Sequence, residues 1–426
     1  MNAIAGILPA TAREVYVDPF ARAVLVDPYT VPIIHTEQGR DRFPNVGVRH
    51  GRNHFDIGNE VFKSGMHLVD GFGNYYATAT VKGIDAAKPT LTRDDHEPND
   101  VSVNGLQDAE TFVRCWAASR YLRKKHLLTE WLMYAAIPER LPDPTASDLS
   151  AVDQQAFKEI IHREFLTPTS VSYAGAAALD LINDVDFGVS YRAMLSPYRL
   201  FDAPHFSGNG LMDAIGSAIE ALQRRRPPNY KTMKMVAPLN AENEKDQLFY
   251  YQYCLPALIG ENLAKVHNGG VSLHYPHGGN WSLAGEIIDL DSAMGKGIFK
   301  HTKMPLDDPI TQSDTMRDLF VSLTAAEKYI DFGKGRSLAM FVHSYICSRR
   351  RVTEAEGAVL AALTPHINYR YNRSEFDEND DEVCTDKTPS DTDIKDAENF
   401  VSAQFKDLEP RLRVRMAGML AVAQAA

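Results

Sequence analysis

The sequence predicts an α+β protein, and three observations carry that expectation. Strand-like runs and turn clusters crowd the first two hundred residues, while amphipathic helices dominate the second half. At 426 residues the chain is long enough to bury a large core and to divide into two or three domains. The division expected is a mixed-sheet part over 1–205 and a mostly helical part over 206–426.

Each element has a local reason. Residues 1–60 are rich in proline, glycine and polar residues, with short strand-like pieces such as Ala23-Val24-Leu25-Val26. Residues 66–84 predict a hairpin, because Asp70-Gly71-Phe72-Gly73-Asn74 supplies turn chemistry and a Tyr/Thr/Val-rich run follows it. Phe112, Cys115, Trp116, Leu122 and Leu132 recur at roughly helical intervals, so 108–135 predicts one helix or two, within a helical insertion over 94–150. The segment 141–150 is a linker in which Ser147 or Asp148 can cap a helix running through 151–166. Pro168 breaks the chain, and strands are expected over 171–181 and 189–195. Helices are expected near 210–225 and 246–267, a hairpin over 283–293, and further helices over 314–329 and 338–350. Residues 374–398 are acidic and nearly free of bulky apolar side chains, the composition of a flexible surface insertion.

Composition excludes some classes of function. The net charge is −11, which argues against a general nucleic-acid binder, since displacing counterions needs a basic surface. Arg224-Arg225-Arg226, just before Pro227-Pro228, has the look of a favourable helix end rather than a phosphate patch. Cys115, Cys254, Cys347 and Cys384 have no CxxC or zinc-finger spacing, which suits free thiols in a reducing compartment. There is no basic stretch followed by a long apolar run at the start and no run of 18 apolar residues. The expectation is a cytoplasmic protein with no membrane partner.

The sharpest local signal is Asn280-Trp-Ser-Leu-Ala-Gly285-Glu-Ile-Ile-Asp289. A magnesium nucleotide needs hard oxygen ligands, and phosphates and water complete the octahedron. Protein-kinase-like folds take those ligands from an Asn ending one loop and an Asp after a short hairpin. Here Gly285 stands where that hairpin would turn, Ile287-Ile288 would bury its strand, and His277 sits just before the Asn. The same spacing also fits a plain β-hairpin with polar ends. Asp291 is a second ligand or a hydrogen-bonded turn residue, the latter being favoured. Two literal Asp-Phe-Gly triplets, at 186–188 and 331–333, lack a preceding Asn-bearing loop and are set aside.

Four stretches, in the same order along the chain, resemble the selenoprotein O family of pseudokinases, described as protein adenylyltransferases. NWSLAGEIID (280–289) is similar to that family's Asn-Met-Ser-Ile-Leu-Gly-x-x-Ile-Asp element. Arg192-Ala-Met-Leu-Ser196-Pro-Tyr-Arg199 is similar to its Arg-Val-Ala-x-Ser-x-x-Arg run. Val81-Lys82-Gly83 followed by Pro89-Thr90-Leu91-Thr92-Arg93 is similar to its Leu-Lys-Gly and Pro-Thr-x-Tyr-Ser-Arg pieces. FLTPTSVS (165–172) is a weaker match to a fourth.

The resemblance implies a two-lobed kinase-like fold that binds ATP with Mg²⁺ or Mn²⁺ and transfers AMP. It assigns Lys82 to the nucleotide phosphates, oriented by a helix carboxylate, Glu159 or failing that Glu110. Arg192 and Arg199, with help from Arg93, would clamp phosphate oxygens, and Asn280 and Asp289 would hold the metal. The acceptor would be a protein, a peptide or a small molecule. The family's Asp immediately before the metal-binding Asn is Gly279 here, and His277 or Asp291 could stand in as base. Phosphoryl transfer on the same fold, and a silent nucleotide-binding scaffold, are the alternatives.

Overall fold

The computed structural model describes residues 3–9, 12–17, 30–35, 41–44, 55–56, 68–82, 84–86, 107–142, 151–164, 187–206, 208–274, 276–300, 302, 309–331, 336–353 and 356. The architecture is α+β, and the chain divides into two compact units, Met1–Ser119 with Glu130–Pro197, and Arg120–Thr129 with Tyr198–Ala426.

The first unit is built on antiparallel sheets. One has four strands in the order Ala3–Pro9, Thr30–His35, Asp41–Pro44, Ile84–Ala86. A second runs Ala12–Val17, Trp131–Pro138, Phe187–Met194, Thr78–Lys82, Phe55–Asp56, with Gln107–Asp108 also pairing Phe187–Gly188. The hairpin expected near residue 70 forms: Leu68–Val69 pairs with Tyr75–Tyr76. Asp70 closes its turn, accepting the backbone N–H groups of Phe72 (2.9 Å) and Asn74 (2.8 Å). That is an Asx turn, in which a side chain replaces a missing backbone acceptor.

Three expectations are corrected in this unit. The helix Ala109–Lys124 forms, but Trp131–Pro138 is a strand lying between two others, so the supposed helical insertion supplies an inner strand of the sheet. Residues 131–137 are all buried, and a short run that is apolar on both faces has no period to separate strand from helix. The Gln154–Glu164 helix starts later than expected, because Ala151–Asp153 pairs with Arg140–Pro142. Its cap is therefore Asp153, whose Oδ1 accepts Ala156 N–H at 2.8 Å, rather than Ser147 or Asp148. Of the two late strands, Phe187–Met194 is present and begins with the Phe187-Gly188 of the first Asp-Phe-Gly triplet; 171–181 lies outside the described residues, as do Ala23–Val26 and 374–398.

The second unit is helical. Gly210–Arg225 buries Ile215, Ala218, Ile219 and Leu222 on one face and ends at Arg226, whose φ of 44° is the left-handed cap of a helix terminus. The arginine run is thus a helix end, as expected. Glu244–Phe249, a π turn at Tyr250–Cys254 and Leu255–Asn268 together realise the helix expected at 246–267. Pro256 accounts for the irregular turn, since it has no N–H for the carbonyl of Gln252; Ser337 Oγ donates to that carbonyl instead, at 2.9 Å. Leu255–Asn268 is buried on nearly every side, and a Cβ on Gly260 would sit 2.3 Å from the Phe341 carbonyl. Only a residue without a side chain allows the Arg336–Ser348 helix to approach so closely. Gln312–Ala326 completes the bundle, capped by a reciprocal Thr311–Asp314 pair. Among the described residues no helix is long and apolar enough to cross a membrane.

Candidate functional site

The strongest local constellation lies in the second unit, where the chain between Leu273 and Ser292 folds back on itself. Ser282 N–H donates to the Glu286 carbonyl at 3.0 Å, Gly285 N–H to the Ser282 carbonyl at 2.9 Å, and Ile288 N–H to the Asn280 carbonyl at 2.9 Å. The result is a tight hairpin with Gly285 in its turn at φ 68°, a conformation that L side chains rarely adopt. Asn280 and Asp289, nine residues apart in sequence, leave the hairpin at the same end.

The hairpin is held from several directions. Asn262, on the central helix, donates Nδ2–H to the carbonyls of Gly285 (3.1 Å) and Leu128 (2.7 Å), and Tyr230 donates its hydroxyl to Asn262 Oδ1. Tyr250 OH donates to the Leu283 carbonyl at 2.8 Å, and Thr129 Oγ1 to the Ile287 carbonyl at 3.0 Å. Inside the turn Ser282 Oγ donates to the buried Glu286 carboxylate at 3.0 Å. On the loop's approach, buried Asp318 accepts Leu273 N–H at 2.6 Å, and its same oxygen faces His267 Nε2 at 3.2 Å. His274 and Asp289 both stand at positive φ (69° and 62°). Such strain, one to three kcal/mol in typical cases (roughly), persists only where surrounding contacts over-determine it.

Arg199 joins this hairpin through its backbone. Leu283 N–H donates to the Tyr198 carbonyl and Leu200 N–H to the Trp281 carbonyl, both at 2.9 Å, pairing Arg199 with Ser282. A Cβ built on Gly279 would lie 3.5 Å from Arg199 Nη1, so the guanidinium flanks the residue preceding Asn280. Asn280 is 8% exposed, Asp289 half-buried and His277 exposed, so the outer part of the constellation reaches solvent.

Position 279 explains the missing acid in structural terms. A Cβ there would meet His277 Cε1 at 2.7 Å, so the imidazole occupies the space of a side chain at 279. His277 Nδ1 accepts the Gly279 N–H at 3.0 Å. A neutral ring so engaged carries its proton on Nε2. The Nδ1 lone pair of His277 is thereby engaged in this arrangement. Asp291 Oδ1 accepts from Ser292 Oγ at 2.8 Å, in keeping with the turn-residue reading.

The remaining expected residues lie in the first unit or outside the described residues. Lys82 ends a strand, with its backbone opposite Ser190 and with Thr80 opposite Arg192; its side chain, Glu110's side chain and Arg93 are not among those described. Arg192 is corrected. Its guanidinium is fully buried against Glu130, with Nη1 donating to Oε1 at 2.7 Å and Oε2 at 3.0 Å, Nε to Ser190 Oγ at 3.2 Å, and Nη2 to Cys115 Sγ at 3.6 Å. An arginine so enclosed is committed to a structural ion pair rather than displayed to a phosphate. Glu159 is exposed and accepts Gln155 Nε2–H at 3.0 Å, whereas Glu130, which sequence reasoning missed, is a fully buried carboxylate among the described residues of this unit. A lone Glu at the head of the WLMYAAIP run was its only signal.

Hard oxygen donors are what Mg²⁺ requires, and the Asn280 amide oxygen with the Asp289 carboxylate is a donor set of that class. Among the described residues no group of three or more His, Cys, Asp or Glu is placed to hold a metal. A cation here would rest on these two side chains, phosphate oxygens and water. No family model matches the chain, and no curated protein matches it.

Proposed function

We propose that the chain is an ATP- and Mg²⁺-dependent transferase with a two-lobed kinase-like fold of the selenoprotein O type, moving AMP from ATP onto a protein or peptide hydroxyl. The observation that carries the reading is the Asn280–Asp289 hairpin. Its backbone pairing sets Asn280 before and Asp289 after a tight turn, two residues whose side chains carry hard oxygens. Asp289 holds a strained φ there while Gly285, Leu283, Ile287 and Leu273 are pinned by Asn262, Tyr250, Thr129 and Asp318 in turn. Such over-determination is characteristic of sites where geometry matters more than stability.

In this reading Asn280 and Asp289 bind the metal, which when present neutralises charge building on the transferred group. Arg199 sits beside Gly279, where a planar cation can hold a phosphate oxygen through two N–H groups. Lys82 and Arg93 enter on the resemblance alone, as point charges for the triphosphate. Arg192 is left out of the phosphate contacts, since releasing it would strand Glu130 as a buried charge. Positioning and charge neutralisation supply most of the rate in such transfers.

The silent-scaffold reading has two observations in its favour: position 279 carries no acid, and His277 Nδ1 is engaged by the Gly279 N–H. Incubating the full chain with ATP labelled at the α- or the γ-phosphate separates the readings. Protein-bound label from the α-phosphate supports AMP transfer. Label from the γ-phosphate alone replaces it with phosphoryl transfer, and no label from either, with Mg·ATP still bound, leaves the scaffold.

A further inference from the structure

His267, near the end of the Leu255–Asn268 helix, is a buried histidine that the nucleotide reading does not use. Each of its ring nitrogens has an oxygen of its own. Nδ1 stands 2.7 Å from the Tyr345 hydroxyl on the Arg336–Ser348 helix, and Nε2 stands 3.2 Å from Asp318 Oδ2 on the Gln312–Ala326 helix. The line continues past the tyrosine, whose hydroxyl lies 3.0 Å from Glu356 Oε1. Asp318, His267, Tyr345 and Glu356 thus meet end to end, all of them buried. Glu356 Oε1 also faces the ring directly, 3.9 Å from Nδ1, and Arg349 is the cation behind it.

Each of the three contacts along this line needs one proton between its heavy atoms, and a carboxylate supplies none. Glu356 is ionised, since it accepts from Arg349 through Nε (3.0 Å) and Nη2 (2.9 Å) and from the Thr353 N–H (2.8 Å). Burial, then the neighbouring Glu356, holds the Tyr345 phenol well above its ordinary value, so it keeps its one proton. That proton serves Glu356. The other two contacts then need two protons, and the imidazole, a stronger base than the Asp318 carboxylate, carries both. Charge gives the same answer: Asp318 and Glu356 face Arg349 alone unless the ring is a cation, and an unopposed buried carboxylate is strongly unfavourable.

We propose that His267 is a positioning residue, locked as a two-proton cation between Asp318 and Tyr345, which through Asp318 fixes the start of the loop leading to Asn280. Asp318 Oδ2 accepts the Leu273 N–H at 2.6 Å, while its Oδ1 is buried with no hydrogen-bond partner among the described residues. The carboxylate is therefore held through Oδ2, where His267 supplies the opposing charge. His274 follows at a φ of 69°, a backbone that persists only where its neighbours are fixed. Only the link to Asn280 rests on the transferase reading; the proton count on His267 does not.

Nitrogen-15 NMR of the full chain, labelled at histidine, reads the ring at neutral pH. The His267 signals, assigned by their disappearance in His267→Gln, should show a proton on both nitrogens. Glu356→Gln keeps the side chain's size and removes its charge, so the Tyr345 proton can turn to Nδ1 and His267 should become a one-proton ring. Mg·ATP should bind His267→Gln at least about tenfold more weakly than the parent, the smallest effect expected when a metal site loses support. A one-proton ring in the parent, or a two-proton ring that Glu356→Gln leaves unchanged, would overturn the protonation assigned to His267. Equal Mg·ATP binding by the parent and His267→Gln would overturn its positioning role. A parent that binds no Mg·ATP would remove the transferase reading and the link to Asn280 with it, while the ring spectrum still decides the proton count.

Discussion

The backbone N–H of Ile288 meets the carbonyl of Asn280 at 2.9 Å, and this one bond sets Asn280 across the hairpin from the residue that precedes Asp289. It depends on Gly285, whose φ of 68° lets the chain reverse and whose missing Cβ would otherwise stand 3.0 Å from Leu258 Cβ. Gly285→Ala should therefore lower stability by about 1–3 kcal/mol through backbone strain and crowding. Urea unfolding measures the loss, and ATP affinity should fall with it. A variant as stable as the parent would contradict the hairpin described.

The Glu130–Arg192 pair is a structural element with a large penalty for breaking it. Glu130→Ala leaves a buried guanidinium uncompensated and should destabilise by about 3–5 kcal/mol, whereas replacing both residues with apolar ones of similar volume should recover most of that. Denaturant titration of the single and double variants tests this. An innocuous Glu130→Ala would return Arg192 to the list of phosphate contacts.

His277 is expected to be dispensable as a base, because its Nδ1 already accepts Gly279 N–H. His277→Gln should reduce α-phosphate labelling by less than about tenfold, against the hundredfold or more that loss of a general base typically brings. A loss of a hundredfold would assign the base to His277 and require the ring to turn.

Alkaline pH should unfold the second unit sharply. Burial raises the phenols of Tyr230, Tyr250 and Tyr345 above the ordinary value of 10.0. In the folded state they keep their protons, while in the unfolded state they release them near the ordinary value. The unfolded form thus binds fewer protons above that point, so stability is intact below pH 10.0 and falls as pH climbs beyond it. Ultraviolet titration should show these phenols ionising only as the helical signal is lost; ionisation in the still-folded protein would contradict their burial.

Much of this was legible where local chemistry is self-sufficient. The turn at Asp70–Asn74, the helix end at Arg224–Arg226 and the hairpin turning at Gly285 each follow from residues within a few positions. Trp131–Pro138 was not, since apolarity on both faces erases the period that distinguishes strand from helix. Glu130 and Asp318 were missed because their roles come from partners distant in sequence, Arg192 and Leu273, and nothing beside them announces it. Arg192 was misassigned by the converse error: a charge read as displayed proved to be enclosed.

The central claim is that Asn280 and Asp289 together close one metal–nucleotide site. Equilibrium binding of ATP, with and without Mg²⁺, by the parent and by Asp289→Ala tests it most directly. The expected result is Mg²⁺-dependent binding in the parent that weakens at least about tenfold in the variant, a change of about 1.4 kcal/mol, with the nucleotide-free melting temperature little altered. Mg·ATP binding of equal strength in both would contradict it.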